Sequence, residues 1–589
     1  MNLYHDSRSL DCRAPFGAVR CGQIVRLRVY CDGAPRAVNA VIYADGKNTI
    51  YPMQPADDRA FELRYTVSDT PGLTWYYFSA VAEDGQTLYL GNASDHLGGV
   101  GACSDHVPPA FQITVYDRKY APPAWLHEGI MYQIFPDRFC RSRAPWYTRK
   151  DIYLHEEWNE PPLAIFDPRN GDTHSRDFFG GDLKGIISKL DYLQSLHVTV
   201  LYLNPIFLAR SNHRYDTGDY TRIDPMLGDE EDLKTLCEEA EKRGMRVLLD
   251  GVFSHTGDDS LYFNRYGRYP TVGAYQSKKS PYYGWYTFEQ HPNKYRSWWG
   301  ITTLPEVNKE NASYRHFILD ENGIARKWVR AGTDGWRLDV ADELPMRFLR
   351  DLRAGVKAEK PDAALLGEVW EDASNKVSYG EMRCYCLGDT LDSVMNYPLR
   401  AAALSFIKGD IDAYLFTRYV QSLHENYPIP FFYSLMNLMG SHDRARVLNV
   451  LAGETWEDVD PLYRGMGALS AEQRALGIRR LQEMWKLYAA MPGMPSIYYG
   501  DEAGLEGAAD PFCRHPFPWG QEDAEVMRIT REALDLRASR PVLRRGAFSI
   551  SAVDAETVCI RRFAYSGHDV FGQELEDADY IVTIHSVRQ

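Results

Sequence analysis

Five acidic residues lie just past five short apolar runs in widely separated parts of the chain. An apolar run of four or five residues that is followed by a helical pattern indicates a buried parallel strand. In a (β/α)₈ barrel, side chains at the C-terminal ends of the strands point into one shared mouth. Because crowding like charges gives a fold no structural advantage, we interpret these acids as a cluster that performs chemistry. They are Asp250, Asp339, Glu368, Asp443 and Asp501.

The segment from about 121 to 540 alternates such apolar runs with helical patterns. In one intervening stretch the apolar residues are Leu233, Leu236, Cys237 and Ala240, which is the spacing of one helix face. A glycine-rich loop of the kind that binds nucleotides in open α/β sheets is missing, so the sequence favours a closed barrel. The eight predicted strands are Ile130–Phe135, Val198–Leu203, Arg246–Gly251, Gly335–Asp339, Leu365–Val369, Ser393–Asn396, Ser434–Leu438 and Pro495–Tyr499.

The regions that flank and interrupt the barrel have other patterns. Before residue 120, alternating runs such as Ile24–Tyr30 and Phe61–Val67 are separated by Asp-Gly turns, which is typical of a β-sandwich. The final residues alternate again over a length short for an independent sandwich, so this region is either incomplete or packed against the barrel. The predicted domains are a sandwich (1–120), the first part of a TIM barrel (121–254), an inserted domain after the third strand (255–311), the rest of the barrel (312–540) and a C-terminal β region (541–589).

Composition and charge exclude several classes of protein. The net charge of −15 argues against a nucleic-acid partner, which would favour a basic surface. The N-terminus has no apolar stretch fit for a signal peptide and no later run could span a membrane, so we expect a cytoplasmic protein. The ten cysteines are scattered without zinc-ligand pairs and should be free thiols. Aromatic residues make up 13 %, which fits either a large aromatic core or platforms for sugar rings.

The acids match the needs of glycoside cleavage, which uses one carboxylate at the anomeric carbon and a proton donor on the other face. Arg337 lies two residues before Asp339, so both side chains leave the strand on the same face. We expect this guanidinium to stand beside Asp339 and not beside Glu368, and to keep Asp339 ionised as the nucleophile. The alternative is a salt bridge inside the barrel. Glu368 leaves its strand at the rim, where we expect it to hold a proton for the leaving oxygen.

Other polar residues are expected to support the two main acids. Asp443 is predicted to bind sugar hydroxyls and to stabilise positive charge near the anomeric carbon. His442 and His255 are candidate hydrogen-bonding partners of hydroxyls, although either residue alone is more often structural. Asp250 is expected to orient the mouth through Arg337 rather than to contact substrate.

Several of these segments, in this order, resemble the α-amylase family (glycoside hydrolase family 13) over roughly residues 125 to 535. The matching segments are Tyr132–Phe139, Asn212–Asp216, Asp250–His255, Gly335–Glu343, Leu366–Trp370, Met439–Asp443 and Pro492–Glu502. The resemblance implies that Asp339 is the nucleophile, Glu368 the acid/base and Asp443 the stabiliser of the transition state. It also implies that Tyr215 stacks on the sugar at the cleavage site, and that Asp510 and Arg514 hold the next sugar towards the non-reducing end.

The N-terminal region narrows the resemblance to one branch of the family. It looks like the starch-binding-type domain that precedes the barrel in neopullulanases, cyclomaltodextrinases and amylopullulanases. After the nucleophile, plain α-amylases usually carry Lys-His, whereas this chain has Asp342 and Glu343, which become candidate substrate-binding residues. The branch implies hydrolysis of α-1,4 bonds, with α-1,6 bonds left open, in pullulan, cyclodextrins, maltooligosaccharides and soluble starch. A homodimer, in which one subunit's sandwich helps to close the other's cleft, is a further implication.

Two alternatives use the same architecture differently. A transglycosylase would form the same covalent intermediate and pass it to a sugar acceptor, and sequence does not separate this outcome from hydrolysis. A catalytically inactive relative would serve only to bind carbohydrate. Inactive relatives usually lose one of the acids, whereas Asp339, Glu368 and Asp443 are all present.

The chain departs from many members of the family at their calcium sites. The loop after the first barrel strand reads Cys140–Ala144, with two arginines where a hard cation would need oxygen ligands. The partner segment Phe179–Asp182 is kept, so we expect Asp182 to pair with an Arg or with backbone donors. At the family's other common site Ser254 stands where an Asn is usual. We therefore expect no metal site and no structural calcium, and catalysis by carboxylates requires no cofactor.

Overall fold

The computed structural model describes residues 1–56, 59–144, 149–163, 175–455 and 467–588. A barrel of parallel strands lies at its centre, two antiparallel sheets precede it and a small antiparallel sheet follows it. No helix among these residues is long and apolar enough to cross a membrane. All ten cysteines lie in the described segments and are free thiols.

The two N-terminal sheets pack face to face around their own core. Strand β4 shows why, because Val25, Leu27, Val29 and Cys31 are buried and the residues between them are not. One sheet has the order β1-β4-β8-β7, and the other runs β11-β10-β9-β12-β3, with β5 paired to β9 and β6 paired to β5. The strands are β1 (Asn2–Tyr4), β2 (Arg13–Ala14), β3 (Val19–Arg20), β4 (Ile24–Asp32), β5 (Ala37–Ala44), β6 (Lys47–Pro52), β7 (Gln54–Pro55), β8 (Ala60–Thr66), β9 (Gly72–Val81), β10 (Thr87–Gly91), β11 (Ala102–Ser104) and β12 (Phe111–Tyr116).

The central sheet confirms the predicted barrel. Its strand order is β26-β23-β22-β19-β16-β13-β28-β27, and a parallel bridge between Met395 and Met436 joins the two ends. The predicted strand Ser393–Asn396 ends earlier in the structure, because Asn396 turns away to cap a helix by accepting from the Leu399 N–H. The strands of this region are β13 (Met131–Ile134), β14 (Tyr153–Leu154), β15 (Asp177–Phe178), β16 (Val200–Leu203), β17 (Phe207–Ala209), β18 (Thr217–Ile223), β19 (Arg246–Gly251), β20 (Phe288–Gln290), β21 (Lys294–Tyr295), β22 (Gly335–Leu338), β23 (Ala364–Gly367), β24 (Val377–Ser378), β25 (Glu381–Met382), β26 (Ser393–Val394), β27 (Met436–Leu438) and β28 (Met494–Tyr498).

Helices surround the barrel strands. In α5 the buried residues are Leu233, Leu236, Cys237 and Ala240, as the spacing predicts, and Asp229 caps its first turn. The helices are α1 (Ala124–Glu128), α2 (Pro136–Phe139), α3 (Leu183–Ser188), α4 (Leu190–Ser195), α5 (Glu230–Glu241), α6 (Ala312–Leu319), α7 (Ile324–Arg330), α8 (Met346–Glu359), α9 (Tyr397–Lys408), α10 (Ala413–Asn426), α11 (Ile429–Phe432), α12 (Val447–Ala452), α13 (Ala471–Ala490), α14 (Ala524–Ser539) and α15 (Pro541–Arg545). Short 3₁₀ turns span Tyr283–Trp285, Trp298–Gly300, Ala341–Glu343 and Phe512–Arg514.

The segment between β19 and α6 forms a compact insertion over the barrel mouth. Backbone bridges join His255 to Glu306 and Tyr286 to Val307, so the insertion returns to the strand from which it leaves. Its interior is aromatic: Phe263 stacks on Phe288 with ring centroids 5.9 Å apart. This packing holds the insertion beside the C-terminal ends of the strands.

Helix α10 is the contact surface for both flanking regions. The buried carboxylate of Glu425 receives Arg8 and Arg13 from the N-terminal region, each at 3.0 Å. The C-terminal sheet, β29 (Ala547–Ala552), β30 (Thr557–Phe563) and β31 (Tyr580–His585), lies on the same helix, where Gln421 donates to the Ile550 carbonyl. Both regions are therefore fixed to the barrel wall.

Candidate active site

One buried guanidinium joins three acids at the C-terminal ends of neighbouring strands. Arg337, on β22, donates through Nη1 to Asp250 Oδ1 at 2.8 Å and Oδ2 at 3.1 Å. The same nitrogen donates to Asp339 Oδ1 at 3.1 Å. Its Nη2 lies 2.7 Å from Glu368 Oε2. Because β19, β22 and β23 are adjacent in the barrel, residues distant in sequence meet at this one cation.

The sharing of Arg337 corrects an expectation from the sequence. Arg337 was expected beside Asp339 and not beside Glu368, but it contacts Glu368 as well; its expected link to Asp250 is present. Burial raises the pKa of Asp339 well above its ordinary value; Arg337 opposes this rise, and the negative charge of Glu368 adds to it. Burial is thus the main cause of the raised pKa of Asp339, and Arg337, which also contacts Asp250 and Glu368, opposes it only in part.

Glu368 is held at both carboxyl oxygens. Oε2 accepts from the Val340 backbone N–H at 2.9 Å, and Oε1 accepts from the Trp370 indole at 3.1 Å. Val340 has φ of 36°, a left-handed conformation that is a marked outlier for a β-branched residue. Strain of this kind persists where surrounding contacts hold it in place, and here it aims a backbone N–H at the carboxylate of Glu368.

A stacked pair lies beside the three acids. The Tyr215 ring stacks on His442 with centroids 5.1 Å apart and planes 9° from parallel, and its hydroxyl donates to Asp250 at 2.8 Å. His442 Nδ1 accepts from the Gln133 amide at 3.0 Å, which leaves the ring proton on Nε2, 3.2 Å from Asp443 Oδ1. Burial lowers the pKa of His442 well below its ordinary value, so the ring is a neutral donor at neutral pH.

Both ring nitrogens of His255 contact other groups of the protein, one of them a backbone carbonyl. Its Nε2 contacts the Tyr215 carbonyl at 3.1 Å, and its Nδ1 contacts the Ser254 hydroxyl at 3.0 Å. Burial lowers the pKa of His255 to about 3, so it is neutral. In this structure it therefore positions Tyr215 by holding the loop that carries it.

Arg514 links the remaining predicted residues. Its Nη1 pairs with Asp510 Oδ1 at 2.9 Å, and its Nη2 lies 3.8 Å from Asp443 Oδ1. Its Nε donates to the His442 carbonyl at 3.0 Å. Burial raises the pKa of Asp443, and Arg514 opposes this rise. The side chains of Asp443 and Asp510 keep 36 % and 40 % exposure, so both remain within reach of a ligand.

Asp342 and Glu343 lie at the rim and not with the acids. Lys376 pairs with Asp342 Oδ2, and the Tyr385 hydroxyl donates to Oδ1 at 2.5 Å, so both oxygens of Asp342 bind the loop after β23. Glu343 is half-buried and accepts from the Tyr379 hydroxyl at 3.4 Å. The carboxylate of Asp342 is therefore bound more tightly by the protein than that of Glu343.

Two residues that support the acids escape notice in the sequence. Tyr202, on β16, donates to Asp250 Oδ2 at 2.6 Å and joins Tyr215 in holding that carboxylate. Trp370 donates to Glu368 and follows it by two residues. Because residues two apart on an extended chain share a face, this spacing could have predicted the contact.

Trp370 is itself held by two residues from distant parts of the chain, one at the start of α9 and one in the loop after β27. It stacks on Tyr397 with ring centroids 4.1 Å apart, and the Arg444 guanidinium lies 4.4 Å from its ring centre. No local pattern links these three positions, because each contact crosses more than twenty residues of chain.

The fifth acid, Asp501, binds a different arginine, Arg446, at 3.0 Å. Its neighbour Glu502 is buried and accepts at Oε1 from the hydroxyls of Tyr132 at 2.6 Å and Tyr192 at 2.9 Å. Burial raises the pKa of Glu502 from 4.5 to about 7, and the two hydroxyls oppose this rise. This carboxyl is thus half-protonated near neutral pH.

A Glu502→Gln variant is expected to change how stability depends on pH. Between the unfolded pKa of 4.5 and the folded value of about 7, the folded wild type binds more protons, so its stability falls as pH rises. The glutamine of the variant cannot ionise. Between pH 4 and pH 8 the free energy of unfolding of the wild type should therefore fall by about 3 kcal/mol more than that of the variant. Urea unfolding across this range measures the difference. The exposed Glu532→Gln variant is the control, and parallel curves for wild type and Glu502→Gln would refute the assignment.

The loop expected to lack calcium is closed by hydrogen bonds. Asp182 caps α3 by accepting from the Gly185 N–H at 2.6 Å, and its other oxygen accepts from the Ser142 hydroxyl at 2.7 Å. Within the described ranges, no group of three His, Cys, Asp or Glu side chains is arranged to hold a metal ion. Both oxygens of Asp182 are thus engaged by the protein.

Comparison with known proteins gives one family. A family model of the alpha amylase catalytic domain matches residues 133–540. An amylopullulanase of Thermoanaerobacterium saccharolyticum is 37 % identical over 99 % of this chain and 48 % of its own length. A neopullulanase of Thermoactinomyces vulgaris is 32 % identical over 80 % of this chain and 72 % of its own. The chain spans about half or less of the length of the amylopullulanases that it matches.

Solved structures agree with this result. The type III pullulan hydrolase of Thermococcus kodakarensis has a TM-score of 0.65 and 29 % identity, covering 95 % of this chain and 94 % of that one. The cyclic α-maltosyl-(1→6)-maltose hydrolase of Arthrobacter globiformis has a TM-score of 0.63 and 33 % identity, covering 76 % of this chain and 90 % of that one. The barrel and the flanking sheets thus have counterparts of known structure.

Proposed function

Because the chain belongs to the alpha-amylase family, we propose that it is a retaining hydrolase that cleaves α-1,4 bonds in soluble α-glucans. The observation that carries the proposal is the contact of Arg337 with Asp250, Asp339 and Glu368. It sets two candidate reacting carboxylates, Asp339 and Glu368, against one fixed cation in a buried mouth. Retaining glycosidases use two carboxylates in this way.

In the proposed first step, Asp339 attacks the anomeric carbon and the bond to the leaving oxygen breaks. Arg337 holds Oδ1, so Oδ2 is the attacking atom. Glu368 gives its proton to the leaving oxygen. Because Arg337 and the Val340 N–H occupy Oε2, that proton is placed on Oε1, beside the Trp370 indole. The leaving glucan departs with a new hydroxyl.

In the second step, water breaks the glycosyl–Asp339 ester. Glu368, now a carboxylate, takes a proton from the water, and the resulting hydroxide attacks the anomeric carbon from the side that the leaving group vacated. Both residues then regain their starting states, and two inversions give net retention. Neither step calls for a metal ion.

Neighbouring groups are proposed to hold the sugar during both steps. The Tyr215 ring offers an apolar face, while His442 Nε2–H and the Asp443 carboxylate offer a donor and an acceptor to hydroxyls. The pair of Asp510 and Arg514 lies one contact further out, which suits the next sugar towards the non-reducing end. The resemblance to the family implies these roles, and the chemistry of the side chains and their adjacency to the acids support them.

Product analysis on pullulan tests the proposal and its bond specificity. Panose indicates cleavage of α-1,4 bonds, and maltotriose indicates cleavage of α-1,6 bonds. NMR of the fresh product should show the α-anomer; an initial β-anomer would mean inversion and overturn the mechanism. Products longer than a maltooligosaccharide substrate would instead indicate transglycosylation. Cyclodextrins, maltooligosaccharides and pullulan are expected to be cleaved faster than granular starch.

We also propose that the protein functions without calcium. The supporting contacts are those of Asp182, whose two carboxylate oxygens accept from Gly185 and Ser142. Dialysis against EDTA is expected to leave both kcat and Tm unchanged, and added Ca²⁺ to leave them unchanged as well. A fall of several degrees in Tm on chelation, restored by Ca²⁺, would contradict this proposal.

A further inference from the structure

Two large aromatic side chains stand almost fully exposed at the rim of the mouth. Trp299 is 73 % exposed and Tyr379 is 72 % exposed. They come from separate segments, Trp299 from the insertion after β19 and Tyr379 from the turn between β24 and β25. Beside Tyr379, the cross-strand pair Val377 and Met382 is also exposed, so the apolar surface continues along the hairpin. Exposed apolar surface of this kind often marks a binding site.

Both aromatics sit on unfavourable backbone. Trp299 has φ of 47° and Tyr379 has φ of 51°, in the left-handed region that bulky residues rarely adopt. An exposed turn with this geometry is more stable with glycine. Strained conformations concentrate at functional sites, so two of them under two exposed rings call for a function of the rings themselves.

The two rings face a common polar group. The Tyr379 hydroxyl donates to Glu343 Oε1 at 3.4 Å. Burial raises the pKa of Glu343, the charge of Lys309 opposes this rise and that of Glu306 adds to it; hydrogen bonds from the Trp299 and Tyr379 side chains lower the pKa further, so both side chains contact this carboxylate. The arrangement therefore consists of two exposed aromatic side chains that both hydrogen-bond to one carboxylate.

Two ring contacts and one hydrogen bond connect Trp299 to the residues beside the acids. Trp299 stacks on Trp298 with centroids 4.8 Å apart and planes 8° from parallel. Trp298 lies 5.5 Å from the His255 ring, and His255 holds the Tyr215 carbonyl. Trp299 is thus connected through Trp298 and His255 to Tyr215, whose hydroxyl contacts Asp250.

The barrel order gives the direction of these contacts. Arg514 follows β28, whereas Trp299 follows β19 and Tyr379 follows β23. Around the sheet, β28 is separated from β22, which carries Arg337, by β13, β16 and β19. The segments that carry the two rings therefore start three strands away from β28 in either direction, on the far side of the barrel from the strand that precedes the Asp510–Arg514 pair.

We propose that Trp299 and Tyr379 form a clamp that binds the leaving-group part of an α-glucan, beyond the sugar next to the acids. The inference rests on the proposed function, since it takes the Asp510–Arg514 side as the non-reducing end. The rings pack against the apolar faces of glucose units, and Glu343 accepts from a hydroxyl. The clamp raises kcat/KM for long maltooligosaccharides relative to short ones.

Single Trp299→Ala and Tyr379→Ala variants test the clamp. For maltohexaose and longer maltooligosaccharides, kcat/KM is expected to fall about tenfold in each variant, mainly through KM. Maltotriose is too short to use the clamp, so its kcat/KM should stay unchanged. Trp299→Phe keeps a ring and is expected to restore most of the loss. Tyr565→Ala, at a residue that is 74 % exposed in the C-terminal region, is the matched control and should match wild type on both substrates.

Calorimetric titration separates this inference from the proposed function. A Glu368→Gln protein titrated with maltohexaose should bind about tenfold more weakly once Trp299→Ala is added, whether or not the wild type hydrolyses glucans. Equal losses on maltotriose and maltohexaose, or no loss on either, would overturn the clamp. Inactivity of the wild type on every α-glucan, with normal maltohexaose binding, would overturn the proposed function and leave the clamp supported.

Discussion

Replacing Asp339 by Asn or Glu368 by Gln is expected to lower kcat on maltooligosaccharides by at least about 10³-fold. An amide at position 339 cannot form the glycosyl ester, and an amide at position 368 cannot deliver a proton to the leaving oxygen. Neither change should unfold the protein. Burial already disfavours the charge on Asp339, so Asp339→Asn is expected to match or exceed the Tm of wild type.

A substrate that needs no proton separates the two roles. Fluoride leaves α-maltosyl fluoride without general-acid help, so Glu368→Gln should form the covalent intermediate with this substrate and Asp339→Asn should not. Mass spectrometry of the quenched protein detects the added mass on residue 339. Wild-type-like turnover of maltooligosaccharides by either variant, or label on Glu368, would reverse or remove the assignments.

Replacing Arg337 by Met is expected to cost about 3–5 kcal/mol of stability at pH 7 and to abolish activity. The guanidinium is buried and is the shared partner of Asp250, Asp339 and Glu368. Without it these acids face one another in a site from which water is largely excluded. A Lys variant should rescue little, since one ammonium cannot reproduce the fork that meets three carboxylates.

The pH dependence identifies the cause of that loss. In Arg337→Met, the folded state holds protons that the unfolded chain releases near pH 4, so the variant should lose stability steadily as pH rises. The gap from wild type should be small near pH 4 and large at pH 7. Adding Asp250→Asn should recover part of the stability at pH 7 by removing one of the charges. Arg446→Met, which separates a single pair with Asp501, is the matched control and should show a weaker dependence. A stability difference between wild type and Arg337→Met that does not vary with pH would indicate that the loss comes from packing and not from unpaired acids.

The features predicted correctly from the sequence are those set by short-range patterns. The apolar runs predicted the barrel strands, and a spacing of two predicted that Arg337 and Asp339 share a face. The buried side of α5 followed from residues three and four apart. In each case the physical cause lies within one strand or one helix.

What the sequence missed depends on contacts between elements. That Arg337 also reaches Glu368 follows from the register of β22 against β23, which no single strand encodes. The contacts of Lys376 and Tyr385 with the Asp342 carboxylate were also not predicted, because they form where the loop after β23 folds back over the turn that carries Asp342. The near-complete exposure of Trp299 could not be predicted, since composition favours aromatic residues in cores.

The joint at Glu425 affects how the N-terminal sandwich can be studied. Arg8 and Arg13 come from the sandwich and Glu425 from the barrel, where only 3 % of its side chain is exposed. Cutting the chain before the barrel would remove both cations at once and leave an unpaired carboxylate on α10. A truncated barrel that loses activity would then report damage to that helix, whatever the sandwich binds. A test for sugar binding by the sandwich is therefore better made with substitutions on its outer face, with this joint intact.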